Sequence, residues 1–246
     1  MSTNRVHSSL HTSVVAALVT LVSSMAFSSH SEAGTKTLVR LEGPVIVTAV
    51  SGKKGTQHTL GTPNSDTHGI WRLASEETGA FTNVPCLLRV GGEDLDDAAS
   101  DRTWLKDLCK DKKTGHLIEV AYPDTSWAGS RVFVSGVSVC LNGDRVKGLK
   151  LRGRAITDDG TLVDLEQWQS IVRPAAGGET RTSGITEPRD QRPNCGTWMA
   201  WAECPYSMLA TAVVAHFESG AEPRSLKGLA LQCRAVVSSG LGWTRS

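Results

Sequence analysis

Charge of one sign, aromatic rings other than indole, and catalytic signatures are all scarce in this 246-residue sequence. Lys and Arg number 26 against 25 Asp and Glu, a formal net charge of +1. A general binder of nucleic acid or of anionic membranes depends on an excess of cationic side chains, so neither partner is expected. The hydrolase elbow Gly-x-Ser-x-Gly is missing, since "GVSVC" around Ser138 ends in Cys140. The P-loop, the zinc-protease His-Glu-x-x-His and the EF-hand loop are missing as well. Without a Cys-x-x-Cys pair or a zinc-type Cys/His cluster, no structural metal is expected. No catalytic residue and no cofactor is therefore assigned. Beyond the N-terminal segment no stretch approaches the roughly 20 apolar residues of a membrane span.

What is present begins with a compartment. Residues 1–33 run from a short polar segment carrying Arg5, through the apolar "SVVAALVTLVSSMAF", to small residues at Ser31 and Ala33. This is the pattern of a secretory signal peptide cleaved after Ala33. Export makes the protein extracellular, or periplasmic if it comes from a bacterium with two membranes. It also makes oxidation the default for six cysteines, Cys86, Cys109, Cys140, Cys195, Cys204 and Cys233.

Short β-branched runs separated by Gly, Pro, Asn and Asp recur along the chain and predict an all-β architecture. "TKTLVRLEGPVIVTAV" predicts two strands interrupted at Gly43-Pro44, and "SGKKGTQHTLGTPNSDTHG" a loop. The exception is 94–113, where Ala98, Trp104, Leu105, Leu108 and Cys109 fall at helical spacing after acidic residues and before lysines. One short helix near 96–110 is predicted there. Cys109 on its inner face would reach back to Cys86, and such a bridge contributes about 3 kcal/mol in the chain-entropy model. The expected organisation is thus a signal peptide (1–33), a β-rich region with the helix (34–123), and a second β region (124–246) with an exposed connection at 173–196.

The second region states one pattern twice. "VKGLKLRGRAITDDG" (146–160) and "LKGLALQCRAVVSSG" (226–240) share Lys147/Lys227, Gly148/Gly228, Leu149/Leu229, Leu151/Leu231, Arg154/Arg234, Ala155/Ala235 and Gly160/Gly240. The strands before them, 134–141 and 210–217, keep the same apolar pattern, so the unit is a β-hairpin. Alternation places Leu149, Leu151 and Ala155 on one face and Lys150, Arg152 and Arg154 on the other. Cys233 points into the core, where Gly153 leaves space in the first copy. The result is expected to be a prism- or sandwich-like domain of repeated hairpins.

The segment from Trp198, "WMAWAECPYSMLATAVVAHFESGAEPRSLKGLALQC", has the outline Trp, Cys204-Pro205, an alternating strand, a polar loop and Leu-x-Gly-Leu-x-Leu-x-Cys. It resembles one repeat of the vitelline membrane outer layer protein I family, and 127–156 resembles it more loosely. The family's Gly-Asp-Asp loop is replaced here by "GAEPRS", and only two copies are visible where three close a prism. The resemblance implies a three-sheet β-prism, a Cys204–Cys233 bridge, carbohydrate association and an extracellular coat setting. Cys140 and Cys195 are left to pair or to remain free.

Seven tryptophans stand against two tyrosines and four phenylalanines. Indole serves both as core filler and as a stacking platform. Trp127 and Trp201 precede the two hairpins at similar offsets and are the first candidate ligand contacts. His216, an isolated strand histidine where the other copy has Cys140, is either structural or a third contact. "NSDTH" (64–68) brings Ser65, Asp66 and His68 together, which reads as turn chemistry before it reads as a triad. The expected function is a secreted, non-catalytic binder of a glycan or an extracellular protein surface. The alternatives are a hydrolase using carboxylates of 93–101 and 158–166, or an inhibitor acting through 173–196.

Overall fold

Three long antiparallel hairpins, each the centre of its own sheet, account for most of the structure. It is a computed structural model that describes residues 38–78, 83–96, 100–110, 113–122, 131–157, 160–165 and 187–239. The expected signal peptide, Trp127 and residues 173–186 lie outside the described residues. The fifteen described elements are all strands.

Hairpin I is β4 (His68–Thr78) with β5 (Val84–Asp94), flanked by β6 (Arg102–Asp107) on β5 and β7 (Lys113–Ala121) on β4. Hairpin II is β8 (Arg131–Asn142) with β9 (Arg145–Ile156). β10 (Leu162–Asp164) and β11 (Arg189–Gln191) pair with β9, and β12 (Thr197–Trp198) and β13 (Ala202–Glu203) with β8. Hairpin III is β14 (Met208–Phe217) with β15 (Leu226–Ser239). β3 (Thr56–Gly61) joins β14, while β1 (Leu38–Val47) and β2 (Ser51–Gly52) join β15. The inner faces of the three sheets meet in one apolar core, a prism-like arrangement.

Two irregularities recur at corresponding places in all three hairpins. Near the tips Cys140 pairs with Gly148 and Leu141 with Val146, which leaves Lys147 as an extra residue. Likewise His216 pairs with Gly228 and Phe217 with Leu226, leaving Lys227, and in hairpin I Cys86 is left between Pro85 and Leu87. The first strands carry the other bulge, at Trp71, Ser135 and Thr211. This register makes Leu88, Leu149 and Leu229 equivalent, and Val90, Leu151 and Leu231, all fully buried. Each such side chain contributes about 1.5–3 kcal/mol by leaving water.

One slot shows how a shared frame is filled three ways. A Cβ on Gly92 would lie 2.7 Å from the Trp104 ring, and one on Gly153 would lie 2.6 Å from the Tyr122 ring. The third equivalent is Cys233, bonded to Cys204. Gly153 therefore does not leave open space. It makes room for a buried tyrosine.

At the end away from the tips, arginines fasten the connections. Arg154 donates to the carbonyls of Cys204, Pro205 and Met208 on the way into hairpin III, and also pairs with Asp164. Arg234 donates to Gly43, Asn64 and Ser65 ahead of hairpin I. The matched Arg154/Arg234 of the sequence thus bind successive seams, because each guanidinium offers several donors in a fixed fork.

Two expectations are corrected. The helix near 96–110 is not formed: residues 102–107 are β6, paired with β5, and 97–99 lie outside the described residues. A period of two fits this stretch as well, with Trp104, Lys106 and Leu108 turned inward and Thr103, Leu105 and Asp107 exposed. Pairing along the open edge of β5 decides between the two periods, a tertiary override of a short local signal. The Cys86–Cys109 bridge forms all the same, because an antiparallel strand also returns Cys109 to Cys86 (Cα–Cα 5.0 Å). Part of the expected loop at 51–69 is β3, held by its register with β14 from Thr56 to Gly61.

All six cysteines are paired, as Cys86–Cys109, Cys140–Cys195 and Cys204–Cys233. The second bridge ties the end of the 173–196 connection to β8, so that this part of it lies on the hairpin II sheet.

Candidate functional site

The turns of hairpins II and III and the start of β5 at Asn83 lie at the same end of the prism. Between them lies a cleft of about 390 Å³. Hairpin I contributes Asn83, whose φ of +43° is unusual for a residue with a side chain. Hairpin II contributes Asn142, Asp144 and Arg145 around a two-residue turn, where Gly143 at φ +59° takes a left-handed conformation. Hairpin III contributes Glu218, Ser225 and Lys227. Asn194, one residue before the Cys140–Cys195 bridge, completes the wall, and its carbonyl accepts a hydrogen bond from the Asn142 side-chain amide at 2.7 Å.

The two bulge lysines set the charge of this cleft. Lys147 is buried, and its ammonium donates to Glu77 and to the Asn83 carbonyl, both of hairpin I. Glu77 is fully buried and also faces Arg192 (3.6 Å) and His116 (4.0 Å). The Lys147 and Arg192 cations thereby match its carboxylate. Lys227 reaches hairpin II instead, where it lies 3.4 Å from Asp144. That pair is open to water, with Asp144 62% exposed. Glu218 accepts a hydrogen bond from the Ser225 hydroxyl at 3.1 Å.

Among the described residues such a lining offers amides, carboxylates, cationic groups and a hydroxyl, and no aromatic ring. Small-molecule pockets are ordinarily apolar with a few polar groups. A lining this polar suits a ligand whose own surface is mostly hydroxyl or charge.

The sequence-predicted contacts are not in the cleft. Trp127 lies outside the described residues. Trp201 lies half-buried on the outer face of the hairpin II sheet, with Lys150 4.6 Å and Arg152 4.3 Å from its ring centroid. Trp198 is beside it, 5.4 Å from Lys150. Gly148 lets the Trp198 indole lie close over the sheet, since a Cβ there would stand 3.2 Å from it, whereas one on Gly136 would make ordinary contact with Trp201 at 3.5 Å. Arg152 also donates to Glu187 (2.8 Å) and Glu203 (3.1 Å). Burial works to raise the Glu187 carboxyl, but Arg152 and Lys150 outweigh it and hold the group below its usual range.

His216 is buried, and its Nδ1 accepts a hydrogen bond from the Gly55 amide at 3.2 Å. Desolvation leads the effects that hold it below the usual histidine range. Its ring joins β14 to the turn before β3.

The residues weighed for catalysis are engaged locally. Ser65 Oγ accepts from the amides of Thr67 and His68, the turn chemistry expected of "NSDTH". The carboxylates of Asp94 and Asp164 serve the Asp96 amide and Arg154. Asp158, Asp159 and Glu166 lie outside the described residues.

Sequence reasoning missed the cleft because turn residues build it. Asn142-Gly143-Asp144 is an ordinary hairpin turn when read alone. The repeated Lys-Gly-Leu was the available signal, since a lysine retained on the buried side of a strand needs a partner.

No family model matches the chain, and no curated protein matches it. Among solved structures it is similar to the Calsepa lectin in complex with a biantennary N-glycan, with a TM-score of 0.46 at 12% identity over 79% of this chain and 99% of that one. The Calystegia sepium agglutinin gives 0.45 at 12% identity over the same shares. The V. cholerae biofilm matrix protein Bap1 gives 0.34 at 9% identity, over 82% of this chain and 25% of that one. With all three scores below 0.5, the fold stands on its own strand pairing.

Proposed function

We propose that this is an exported, non-catalytic binding protein that holds a glycan in the cleft between its hairpin turns. The observation that carries the reading is the lining itself: Asn83, Asn142 and Asn194 share one cleft with the acidic Asp144 and Glu218 and the basic Arg145, Lys147 and Lys227. Neighbouring hydroxyls of a sugar donate and accept at once, and such mixed groups satisfy both roles. Export is supported by the N-terminal apolar segment and by three disulfides in one chain. Kinship with the vitelline membrane outer layer protein I family fits this reading, with hairpin I as the third copy that the sequence alone did not reveal.

Trp201 is the second proposed contact, on the outer face of the hairpin II sheet. One face of its use is already structural, because Lys150 and Arg152 stack on it. A glycan array probed with the mature protein, followed by pull-down from extracellular matrix, tests the proposal. Asn194→Trp, which plugs the exposed wall of the cleft, is expected to abolish retention while Trp201→Ala leaves most of it. Retention of nothing, or loss only with Trp201→Ala, would remove the cleft as the site.

A further inference from the structure

We infer that the cleft selects glycans carrying an anionic group, and that Asp144 occupies the place of that anion when the cleft is empty of ligand. The inference rests on the glycan-binding reading and adds the ligand's charge to it. Besides Glu222, exposed on the hairpin III turn outside the cleft lining, three carboxylates belong to this end of the molecule, and they are held differently. Glu77 is buried under Lys147, and Glu218 is turned to Ser225 within its own hairpin. Asp144 sits on an exposed two-residue turn and meets Lys227 across the mouth.

An ion pair with so exposed a partner is weak, so exchanging Asp144 for another carboxylate costs little. Lys147, by contrast, cannot be recruited by a ligand, because its charge is taken by Glu77. Lys227 keeps its side chain 21% exposed, with exposed Arg145 next to Asp144 on the facing turn. Lys53 and Lys54 follow β2, and the Lys53 amide bonds the Lys227 carbonyl, so this segment runs beside Lys227 though outside the cleft lining. An acidic sugar entering the cleft would meet Lys227 and Arg145 and release Asp144 to water. The protein's own side chain thus acts as a weak competitor.

The competitor gives the inference an unusual signature, since removing an acidic group should tighten binding. Calorimetric titration of the mature protein with short oligogalacturonides, their carboxyl-reduced neutral counterparts and a sulfated oligosaccharide reads it directly. Lys227→Gln is expected to weaken oligogalacturonide binding about tenfold, the loss of one charge-assisted contact. Asp144→Asn is expected to strengthen it by about threefold, and carboxyl reduction to weaken it about tenfold or more. Asp144 is exposed and Lys227 partly so, so thermal unfolding should move little and a folding defect would be visible. Tighter binding of the sulfated probe with the same two responses supports the inference and identifies sulfate as the anion. Equal binding of the neutral probe, with Asp144→Asn weakening it, overturns the inference and leaves a neutral-glycan cleft. If no probe binds and Asn194→Trp changes no retention on the array, the glycan reading itself falls, and the inference with it.

Discussion

Hairpins II and III place a lysine at the same bulge, one residue before the same glycine, and use it for opposite purposes. Lys147 is 4% exposed and closes a seam between hairpins with Glu77, whereas Lys227 is 21% exposed and meets a carboxylate in water. The identity of two residues in an internal alignment therefore says where they stand and not what they do. What decides is the partner on the neighbouring hairpin, a buried Glu77 for one and a turn residue, Asp144, for the other.

The largest expected effect breaks this comparison at its buried member. Lys147→Met leaves Glu77 buried with an incomplete set of cations and is expected to cost about 3–5 kcal/mol in denaturant unfolding. The double change Lys147→Met with Glu77→Met should recover most of the loss, because a desolvated pair and an apolar pair of similar volume are nearly equivalent. Full loss in the double variant would mean that the pair orders hairpin I in some further way.

Next come the residues that the hairpins use alike. Leu149→Ala and Leu229→Ala are each expected to destabilise by about 2–5 kcal/mol, and by similar amounts, because both are fully buried at equivalent positions of one core. A difference between them larger than about 2 kcal/mol would show that the core collapses around one site and not the other.

A smaller and pH-dependent contrast separates Cys140 from His216, which share a position. Cys140 is bonded to Cys195 and does not titrate. His216 has a lowered folded pKa, so below about pH 6.5 the unfolded chain binds the proton first and stability falls with acid. Above that pH the contribution is constant. His58 and His68 are lowered as well, with burial the largest cause for each, and they add in the same direction. His216→Asn keeps an acceptor for the Gly55 amide and should make the acid side of a melting-temperature profile shallower. An unchanged slope would assign the acid sensitivity to the other two histidines.

The smallest effect belongs to Lys227, the more exposed of the two lysines. Lys227→Met should change stability by less than about 1 kcal/mol, as expected of a solvent-screened pair. A cost comparable to that of Lys147→Met would erase the distinction between the two positions.

Much of the frame was legible in the residues. Alternation gave the faces of β9 and β15, and Leu149, Leu151, Leu229 and Leu231 are buried as the period of two requires. Cys86 and Cys109 were paired correctly from a wrong helix, because a strand and a helix can both return a cysteine to its neighbour. Hairpin I escaped notice for a physical reason. Its second strand has Cys86-Leu87-Leu88 where the others have Lys-Gly-Leu, and its first ends in Glu76-Glu77, which reads as surface although both are buried. Partners distant in sequence, Arg89 for Glu76 and Lys147 and Arg192 for Glu77, make those carboxylates acceptable inside. The cleft was illegible for a related reason, since its walls come from four separate connections that only the fold assembles.

The central claim is that ligand binds between the hairpin turns, and an amide chemical-shift titration of the mature protein with an array-selected glycan tests it most directly. Shifts are expected at Asn83, Asn142 to Arg145, Asn194 and Ser225 to Lys227, with β9 from Leu149 onward little changed. Shifts confined to Lys150, Trp198 and Trp201, with the turns unmoved, would contradict it.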